Sequence, residues 1–337
     1  MMNFFKMLFL GILMTSTLIT ISALSWFTAW MGLEMNLLAI IPLMKTSQNK
    51  LSAEAAIKYF IVQAMASAIL LFSITLISLT NNTSFELSSV TSSLIDSTLI
   101  LKMGAAPLHF WLPEVVSGLD WNLVFIILTW QKIAPMILLS YCMNPHFLLS
   151  CSIILSSFIS GILGINQTCM RKLMAFSSIN HMGWMLSTLF SSLNLWFYYF
   201  SIYALTNFNI LVLFHKIHLF YMNQLSKITL NNKLLKFFFM FNFLSLGGLP
   251  PFLGFLPKWL TINFLVNSNF LTLSIILVLF TLVTLFFYVR LTFSSFTLNS
   301  EESMTSSLTS NFKSWQALTN LYVLMGLPLF FFMANIY

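Results

Sequence analysis

Four ionisable residues lie within otherwise strongly apolar stretches of this chain, where they are suited to carrying protons or charge. They are Glu34, Lys102, Lys132 and Lys258. A lysine at the centre of a membrane helix costs roughly 3 kcal/mol on insertion scales, so it needs a partner or a task there. A buried lysine whose carboxylate partner can move away can switch between its charged and neutral forms near neutral pH. Such residues meet the physical requirement for a proton relay.

Structural roles are the alternative for some of these charges. Glu34 and Lys102 can form an ion pair that only fixes the register of two helices. Lys58 follows Glu54 at the i, i+4 spacing of a helix. We therefore predict that Lys58 and Glu54 form an interfacial ion pair outside the relay.

Histidines and cysteines add weaker candidates. His109 and His181 can each bridge a water chain as a neutral imidazole, or can pack as a hydrogen-bonded core residue. Cys142, Cys151 and Cys169 have neither C-x-x-C nor another metal-ligand spacing. The sequence also lacks a Gly-rich dinucleotide motif, a Walker loop and a pair of histidines spaced for haem or zinc. We expect no cofactor and no metal ion to be bound by this chain.

The composition defines the class of protein that must position these residues. Of the 337 residues, 58% are hydrophobic and 7% are charged. Stretches of about 20 apolar residues are what a lipid bilayer demands of a helix. The abundance of Phe and Met is typical of an AT-rich organellar genome. We predict an all-α, polytopic membrane protein.

A hydropathy window of about 19 residues predicts about eleven membrane spans with short connections. Their limits are 4–24, 26–44, 52–80, 93–116, 121–141, 147–165, 172–191, 195–217, 236–267, 270–293 and 315–334. The first span is too long for the apolar region of a signal peptide, so we expect it to remain in the mature protein. No shift in composition marks a soluble part, and residues 1–337 are predicted to form a single membrane domain.

Basic residues support this span map, because they gather on the side of a membrane that is not crossed during insertion. If the N-terminus is placed on side A, every basic residue outside the membrane falls on that side. They are Lys6, Lys45, Lys50, Lys58, Arg171, Lys172, Lys216, Lys227, Lys233, Lys236, Arg290 and Lys313. With the three buried lysines they account for all 15 basic residues. The net charge of +7 therefore reflects membrane topology, and binding of nucleic acid is excluded.

Two spans share a motif that interrupts a helix. The fourth span contains GAAPLHFWLPE at residues 104–114, and the ninth contains GLPPFLGFLPK at 248–258, a constant 144 positions later. Pro and Gly break the helical hydrogen-bond ladder and leave polar backbone groups inside the membrane. Inverted repeats with matching breaks mark ion sites in secondary transporters. A simple kink in each helix is the alternative. In the fifth span, Pro135 frees the carbonyl of Gln131 beside Lys132.

Five ordered strings then carry a resemblance that covers almost the whole chain. They are WMGLEMNL at 30–37, KMGAAPLHFW at 102–111, TWQKIAP at 129–135, RKLMAFSSINHMGW at 171–184 and LSLGGLPPFLGFLPKW at 244–259. The chain resembles the antiporter-like membrane subunits of respiratory complex I, in the form found in arthropod mitochondria. The resemblance implies two inverted five-helix repeats, at 1–141 and 147–293, and a C-terminal helix at 315–337. It is similar to the animal form without the family's three N-terminal helices, in agreement with an N-terminus on side A.

The resemblance also implies a role for each buried charge. Glu34 and Lys102 correspond to the charge pair of a first half-channel, Lys132 to the central connecting residue and Lys258 to the terminal lysine of a second half-channel. Side A becomes the matrix side of the mitochondrial inner membrane, and side B faces the intermembrane space. Quinone reduction elsewhere in the complex then drives protons along these residues.

Cofactors and partners follow from the same resemblance. NADH, FMN, iron–sulfur clusters and ubiquinone are used by the whole complex and none of them by this chain. Expected partners are antiporter-like subunit 4, subunit 4L, accessory subunits and membrane lipids, without nucleic acid. Two other functions fit the same architecture: a free-standing cation/proton antiporter, and a purely structural subunit in which the charges only fix helix register.

Overall fold

The computed structural model describes residues 4–45, 49–80, 85–142, 146–225, 233–297, 318–326 and 328. These residues are mostly helical, and the β pairing among them is an isolated antiparallel bridge between Cys169 and Tyr221. The helices are α1 (Phe4–Ile21), α2 (Trp26–Met44), α3 (Lys50–Thr80), α4 (Phe85–Met103), α5 (Trp111–Ser117), α6 (Trp121–Leu128), α7 (Trp130–Tyr141), α8 (His146–Ile165), α9 (Met170–Leu189), α10 (Leu193–Ile217), α11 (Lys233–Gly247), α12 (Phe255–Asn267), α13 (Leu271–Thr297) and α14 (318–326). A short 3₁₀ turn covers Met222–Leu225.

Seven helical segments of the described chain are long and apolar enough to cross a membrane. They are Phe4–Ile21, Trp26–Met44, Lys50–Leu79, Trp121–Tyr141, Phe147–Ile165, Leu193–Ile217 and Leu271–Phe293. Each coincides with a predicted span. Of the other predicted spans, 93–116 and 236–267 are each divided between two helices, and 172–191 coincides with the more polar α9. Half of the span 315–334 lies outside the described residues. The chain is therefore a multi-pass, α-helical membrane protein.

The helix α3 illustrates how these segments are adapted to lipid. Its side chains Tyr59, Gln63 and Ser67 follow one another at the i, i+4 spacing and are buried. On other faces Phe60 and Met65 are exposed. This distribution is the reverse of that of a helix in a water-soluble protein. It places polar groups against protein, because hydrocarbon cannot satisfy them.

One predicted boundary was wrong. The span limits 52–80 and 93–116 predict a loop at residues 81–92, which are rich in Ser, Thr and Asn, but α4 already begins at Phe85. Hydroxyl side chains are compatible with a helix when they donate to a carbonyl of the preceding turn. The Ser93 Oγ and Ser97 Oγ atoms of α4 do so, at 2.8 Å from the Val90 and Leu94 carbonyl oxygens. Residues 81–84 and 298–317, the latter with Glu301 and Glu302, lie outside the described residues.

The helices are grouped into two compact units, which are separated in the sequence between Leu155 and Ser156. In the first unit α2 packs on α3, α3 packs on both α4 and α5, and α4 packs on α7. In the second unit α9 packs on α10, α10 packs on both α11 and α12, and α11 packs on α13. Each unit thus has one interrupted helix, α4/α5 or α11/α12, held between neighbouring long helices.

Both breaks predicted from the sequence are present, and the first has a defined geometry. The helix α4 ends at Gly104, which has a φ of 73°. The Gly104 and Ala105 amides donate to the carbonyls of Leu101 and Ile100, at 3.1 and 3.2 Å. This pair of bonds is a Schellman motif, which favours glycine at the left-handed position because glycine has no Cβ.

The second break repeats this geometry. The helix α11 ends at Gly248, with a φ of 77°. The Gly248 and Leu249 amides donate to the carbonyls of Ser245 and Leu244, at 3.0 and 3.2 Å. Each of these residues lies 144 positions after its counterpart in α4. Local sequence therefore stops both helices in the same way.

Candidate functional site

Lys102 lies in the last turn of α4, immediately before the first break. Its side chain is buried, with 7% of the residue exposed. The backbone carbonyl of Lys102 accepts a hydrogen bond from Gln63 Nε2 at 3.1 Å, and that of Leu101 accepts one from Trp111 Nε1 at 3.0 Å. Side chains from α3 and α5 thus satisfy carbonyls that a helix end leaves unpaired.

A polar cluster surrounds Lys102 in the first unit. Gln131 Nε2 of α7 donates to Asn36 Oδ1 of α2 at 2.8 Å, and the Tyr59 hydroxyl donates to Gln131 Oε1 at 3.4 Å. These side chains, with Gln63 and Lys102, line a cavity of about 10 Å³. That volume corresponds to about one water molecule. The cluster therefore has both the polar lining and the space for a water beside the lysine.

Glu34 lies on α2, two and three residues before Asn36 and Leu37, which line the cavity beside Lys102. Its side chain is half-buried. Glu34 and Lys102 form no direct ion pair, although the charge of Glu34 acts on the Lys102 ammonium. This arrangement differs from a close ion pair that only fixes helix register.

Lys132 is the most deeply buried of the three lysines, with 1% of the residue exposed. It follows a helix irregularity at Thr129, whose φ and ψ are −118° and −71°. Both the amide and the hydroxyl of Thr129 donate to the Phe125 carbonyl, at 3.0 and 2.6 Å. The Lys132 amide donates to the Thr129 carbonyl at 3.1 Å. The irregularity thus precedes Lys132, whereas Pro135 lies inside α7.

Lys258 lies in the first turn of α12, directly after the second break, with 6% of the residue exposed. Its Nζ donates to the carbonyl of Gly247 at 2.8 Å and to that of Leu246 at 3.4 Å. It also lies 5.9 Å from the ring centroid of Trp184. A cation at the carboxyl end of a helix is stabilised by the helix dipole and by the terminal carbonyls. The ammonium of Lys258 therefore caps α11.

His181 lies on α9, in which residues 173–189 are all buried. Its Nδ1 forms a hydrogen bond of 2.9 Å with the Tyr199 hydroxyl of α10. A second cavity of about 10 Å³ is lined by His181, Tyr199, Tyr203, Leu246 and other residues. Leu246 carries one of the carbonyls that Lys258 binds. His181 thus lines the same cavity as Leu246, whose carbonyl Lys258 binds.

His109 lies within the first break, between α4 and α5. Only 1% of the residue is exposed. Its Nδ1 donates to the Pro107 carbonyl at 3.2 Å, and its ring lies 4.4 Å from that of Phe110. Its Nε2 is buried without a hydrogen-bond partner among the described residues.

The predicted pair of Lys58 and Glu54 is confirmed, with 2.9 Å between Lys58 Nζ and Glu54 Oε1. Glu114 of α5 makes a second contact, also 2.9 Å from Lys58 Nζ. The sequence did not predict Glu114 in this position, because the contact joins helices 56 residues apart. All three side chains are substantially exposed, so the ion pairs join α3 to α5 outside the buried cluster.

Several polar residues of the site were not recognised in the sequence. Gln63, Gln131 and Asn36 each make hydrogen bonds to the cluster, and Asp96 of α4 is fully buried. One signal was available for α3, since Tyr59 and Gln63 repeat at helical spacing within an apolar stretch. Within the described residues, no three His, Cys, Asp or Glu side chains are grouped to hold a metal ion.

Fold and site together define a class: a multi-pass helical membrane protein with lysines buried beside interrupted helices. The family described as NADH:quinone oxidoreductase/Mrp antiporter, TM, matches residues 23–284. The chain belongs to this family.

Named relatives agree with this assignment. NADH-ubiquinone oxidoreductase chain 2 of Anopheles gambiae is 50% identical over 294 residues, which cover 87% of this chain and 86% of that protein. The protein of the same name from Locusta migratoria is 42% identical over 310 residues, or 92% and 91% of the two chains.

Two solved structures have the same fold. A chain of respiratory complex I from Thermus thermophilus with bound aureothin has a TM-score of 0.85 and 23% identity, with 96% of this chain and 77% of that chain covered. A chain of the Mrp complex from Dietzia sp. has a TM-score of 0.79 and 17% identity, with 88% and 61% covered. At these identities the similarity concerns the fold alone.

Proposed function

We propose that this chain is a proton-translocating membrane subunit of an NADH:quinone oxidoreductase, in which protons move through Glu34, Lys102, Lys132 and Lys258. The observation that carries the proposal is the burial of three lysines in a membrane protein, each beside a helix end or irregularity. Intramembrane ionisable residues are costly and mark ion pathways in membrane proteins. The names of the insect relatives supply the reaction that would drive the transport.

The chemistry proposed for each lysine follows from its partners. Lys102 faces a cavity in which a water can accept or supply a proton. Lys258 binds two carbonyls that stabilise its charged form, so release of a proton requires the ammonium to leave them. Lys132 is buried in the first unit and is proposed as the central residue of the path. Glu34 is the proposed carboxylate that alternately approaches and leaves Lys102.

The proposed architecture has eleven spans, with inverted repeats at residues 1–141 and 147–293 and a C-terminal helix at 315–337. Two observations support the repeats. The Schellman motifs of α4 and α11 match at a separation of 144 residues. The helices around each break also pack in the same order within their own unit.

Residues beside the breaks extend this repeat. Tyr59 and Gln63 of α3 correspond, at the same separation of 144 residues, to Tyr203 and Asn207 of α10. All four are buried. Tyr59 and Tyr203 each line the cavity of their own unit. The two units are thus proposed to be two half-channels built on one plan.

The proposed location is the mitochondrial inner membrane, with the N-terminus in the matrix and the C-terminus in the intermembrane space. The proposed partners are antiporter-like subunit 4, subunit 4L and accessory subunits of the complex, together with lipids. NADH, FMN, iron–sulfur clusters and ubiquinone would be bound by other subunits, so this chain carries protons without a redox centre of its own.

The test compares Lys132→Met and Lys258→Met with Lys58→Met in the assembled complex. Methionine keeps a long side chain and removes the charge. We expect the first two variants to transfer electrons from NADH to quinone with fewer protons translocated per electron. Lys58→Met is the control, since its side chain is 41% exposed and lies outside the proposed path. Proton movement and NADH oxidation are recorded together in sealed vesicles.

The same measurements separate the rival functions. A normal proton-to-electron ratio in both Lys132→Met and Lys258→Met would contradict the relay and favour a structural subunit. Cation and proton exchange by the isolated chain in vesicles, without NADH, would favour a free-standing antiporter.

A further inference from the structure

Asp96 is a buried carboxyl group that the proposed path does not yet include. It lies on α4, and 0% of the residue is exposed. Both of its side-chain oxygens are buried without a hydrogen-bond partner among the described residues. Buried polar groups in native proteins are otherwise almost always paired, so an orphaned carboxyl group calls for a water, an ion or a functional role.

The position of Asp96 follows from the packing of α4 against α7. Gln131 and Pro135 of α7 and Cys142, the residue that follows this helix, are spaced i, i+4 and i+11 and so lie on one face. Gln131 and Pro135 line the cavity that contains Lys102. Cys142 lies at the other end of the same face, within electrostatic reach of Asp96. Asp96 therefore lies near the Cys142 end of this packing contact, beyond the residues that line the Lys102 cavity.

The separation of the two groups can be read from α4. Asp96 and Lys102 are six positions apart in the helix, which corresponds to about 9 Å along its axis. In the membrane map drawn from the basic residues, the Cys142 end of α7 faces side B. Asp96 is thus placed between the Lys102 cavity and the aqueous phase of side B.

We propose that Asp96 carries protons between the Lys102 cavity and side B. The neutral carboxylic acid transfers its proton to a water or hydroxyl on one side and becomes a carboxylate, and it then accepts a proton from the other side. The number of protons and charges is conserved in each step, and no other reactant is needed. The inference rests on the proposed function, because it assigns a further residue to the same path.

Neighbouring groups are compatible with this role. Ser93 precedes Asp96 by three residues and so lies on the same face of α4, on its side B end. Its Oγ donates to the Val90 carbonyl at 2.8 Å, which leaves the lone pairs of the hydroxyl to accept a hydrogen bond. Cys142, the titratable neighbour on α7, is a buried free thiol.

The experiment uses Asp96→Asn, Asp96→Glu and a control, Ser97→Ala, in the assembled complex. Asn has the shape of Asp but cannot exchange a proton in this way, whereas Glu retains the carboxyl group. We expect Asp96→Asn to lower the number of protons translocated per electron, with electron transfer and assembly retained. Asp96→Glu and Ser97→Ala should translocate nearly as many protons per electron as the unaltered complex.

A parallel variant, Lys102→Met, separates this inference from the proposed function. A lowered ratio in Lys102→Met together with a normal ratio in Asp96→Asn would overturn the role of Asp96 and leave the proposed function intact. Normal ratios in both would contradict the proposed function itself.

Infrared spectroscopy decides the case if Asp96→Asn does not assemble. A protonated carboxylic acid has its own carbonyl stretching band. During turnover, the frequency of this band should differ between Asp96→Glu and the unaltered complex. Spectra of Asp96→Glu and the unaltered complex that coincide throughout this region would overturn the inference.

Discussion

At the scale of single residues, the buried lysines differ in how their charge is accommodated. Lys258 is held by two backbone carbonyls, whereas Lys102 faces a cavity with room for about one water. A lysine on carbonyls is stabilised in its charged form, and one beside water can exchange its proton more readily. We infer that Lys102 and Lys258 store and exchange protons in different ways.

The hydrogen bond between Gln131 and Asn36 offers a test of the polar cluster. Gln131→Leu removes the donor and leaves the buried Asn36 Oδ1 without its 2.8 Å bond. The expected cost is about 1–3 kcal/mol, the usual penalty for an orphaned buried polar group. The midpoint of thermal inactivation of the purified complex should therefore fall.

A matched control for this change is Gln167→Leu. Gln167 lies beyond the end of α8, and its Nε2 donates only to the Leu163 carbonyl of its own helix. We expect a change of less than about 0.5 kcal/mol there. Equal midpoints in the two variants would show that the Asn36 contact adds no stability.

At the scale of helices, the breaks place polar helix ends inside the membrane. Each helix end supplies carbonyls that a side chain or cation must satisfy. In α4 these partners are Gln63 and Trp111, and in α11 the partner is Lys258. The same backbone motif thus receives neutral donors in one unit and a cation in the other.

The second break predicts a sharp difference between two adjacent glycines. At Gly248, φ is positive and an added Cβ would lie 2.7 Å from Lys258 Cδ. Gly248→Ala should therefore cost about 1–2 kcal/mol from the left-handed backbone alone, and it should also displace Lys258. We expect lower thermal stability and fewer protons translocated per electron.

Gly247→Ala is the control, because Gly247 is helical and an added Cβ would lie 3.5 Å from Tyr288, an ordinary contact. Alanine is a better helix former than glycine by about 1 kcal/mol. This variant should be as stable as the unaltered complex or more so. A similar loss in both variants would argue that space, rather than the backbone conformation of Gly248, limits this position.

At the scale of the whole molecule, the charge distribution predicts a membrane orientation. All lysines outside the proposed path lie on side A of the span map, among them the exposed Lys6, Lys45 and Lys50. A membrane-impermeant amine reagent should therefore modify lysines of this chain from the matrix side and none from the intermembrane side. Inverted vesicles and mitoplasts provide the two orientations, and peptide mass spectrometry identifies the sites.

Detergent provides the control for that experiment, since it opens both sides to the reagent. Modification of Lys45 or Lys50 in intact mitoplasts would contradict the orientation. The outcome also tests the number of spans, because one span more or fewer would move later basic residues to the other side.

Sequence alone determined the class of this protein, the positions of both helix breaks and the three buried lysines. These features are local: apolar stretches of sufficient length, Gly and Pro at a helix end, and a charge within an apolar segment. The start of α4 was missed because residues 85–92 include Glu86 and several Ser and Thr residues, which lower the hydropathy of the window below that of a membrane span.

Only the tertiary structure decided which partners surround the charges. Glu114 joins Lys58 across two helices, Glu34 makes no direct pair with Lys102, and Asp96 is enclosed without a hydrogen-bond partner among the described residues. A charge within an apolar stretch can be recognised from its neighbours in the chain. Its partners lie tens of residues away, and packing of α3, α4 and α7 brings them together.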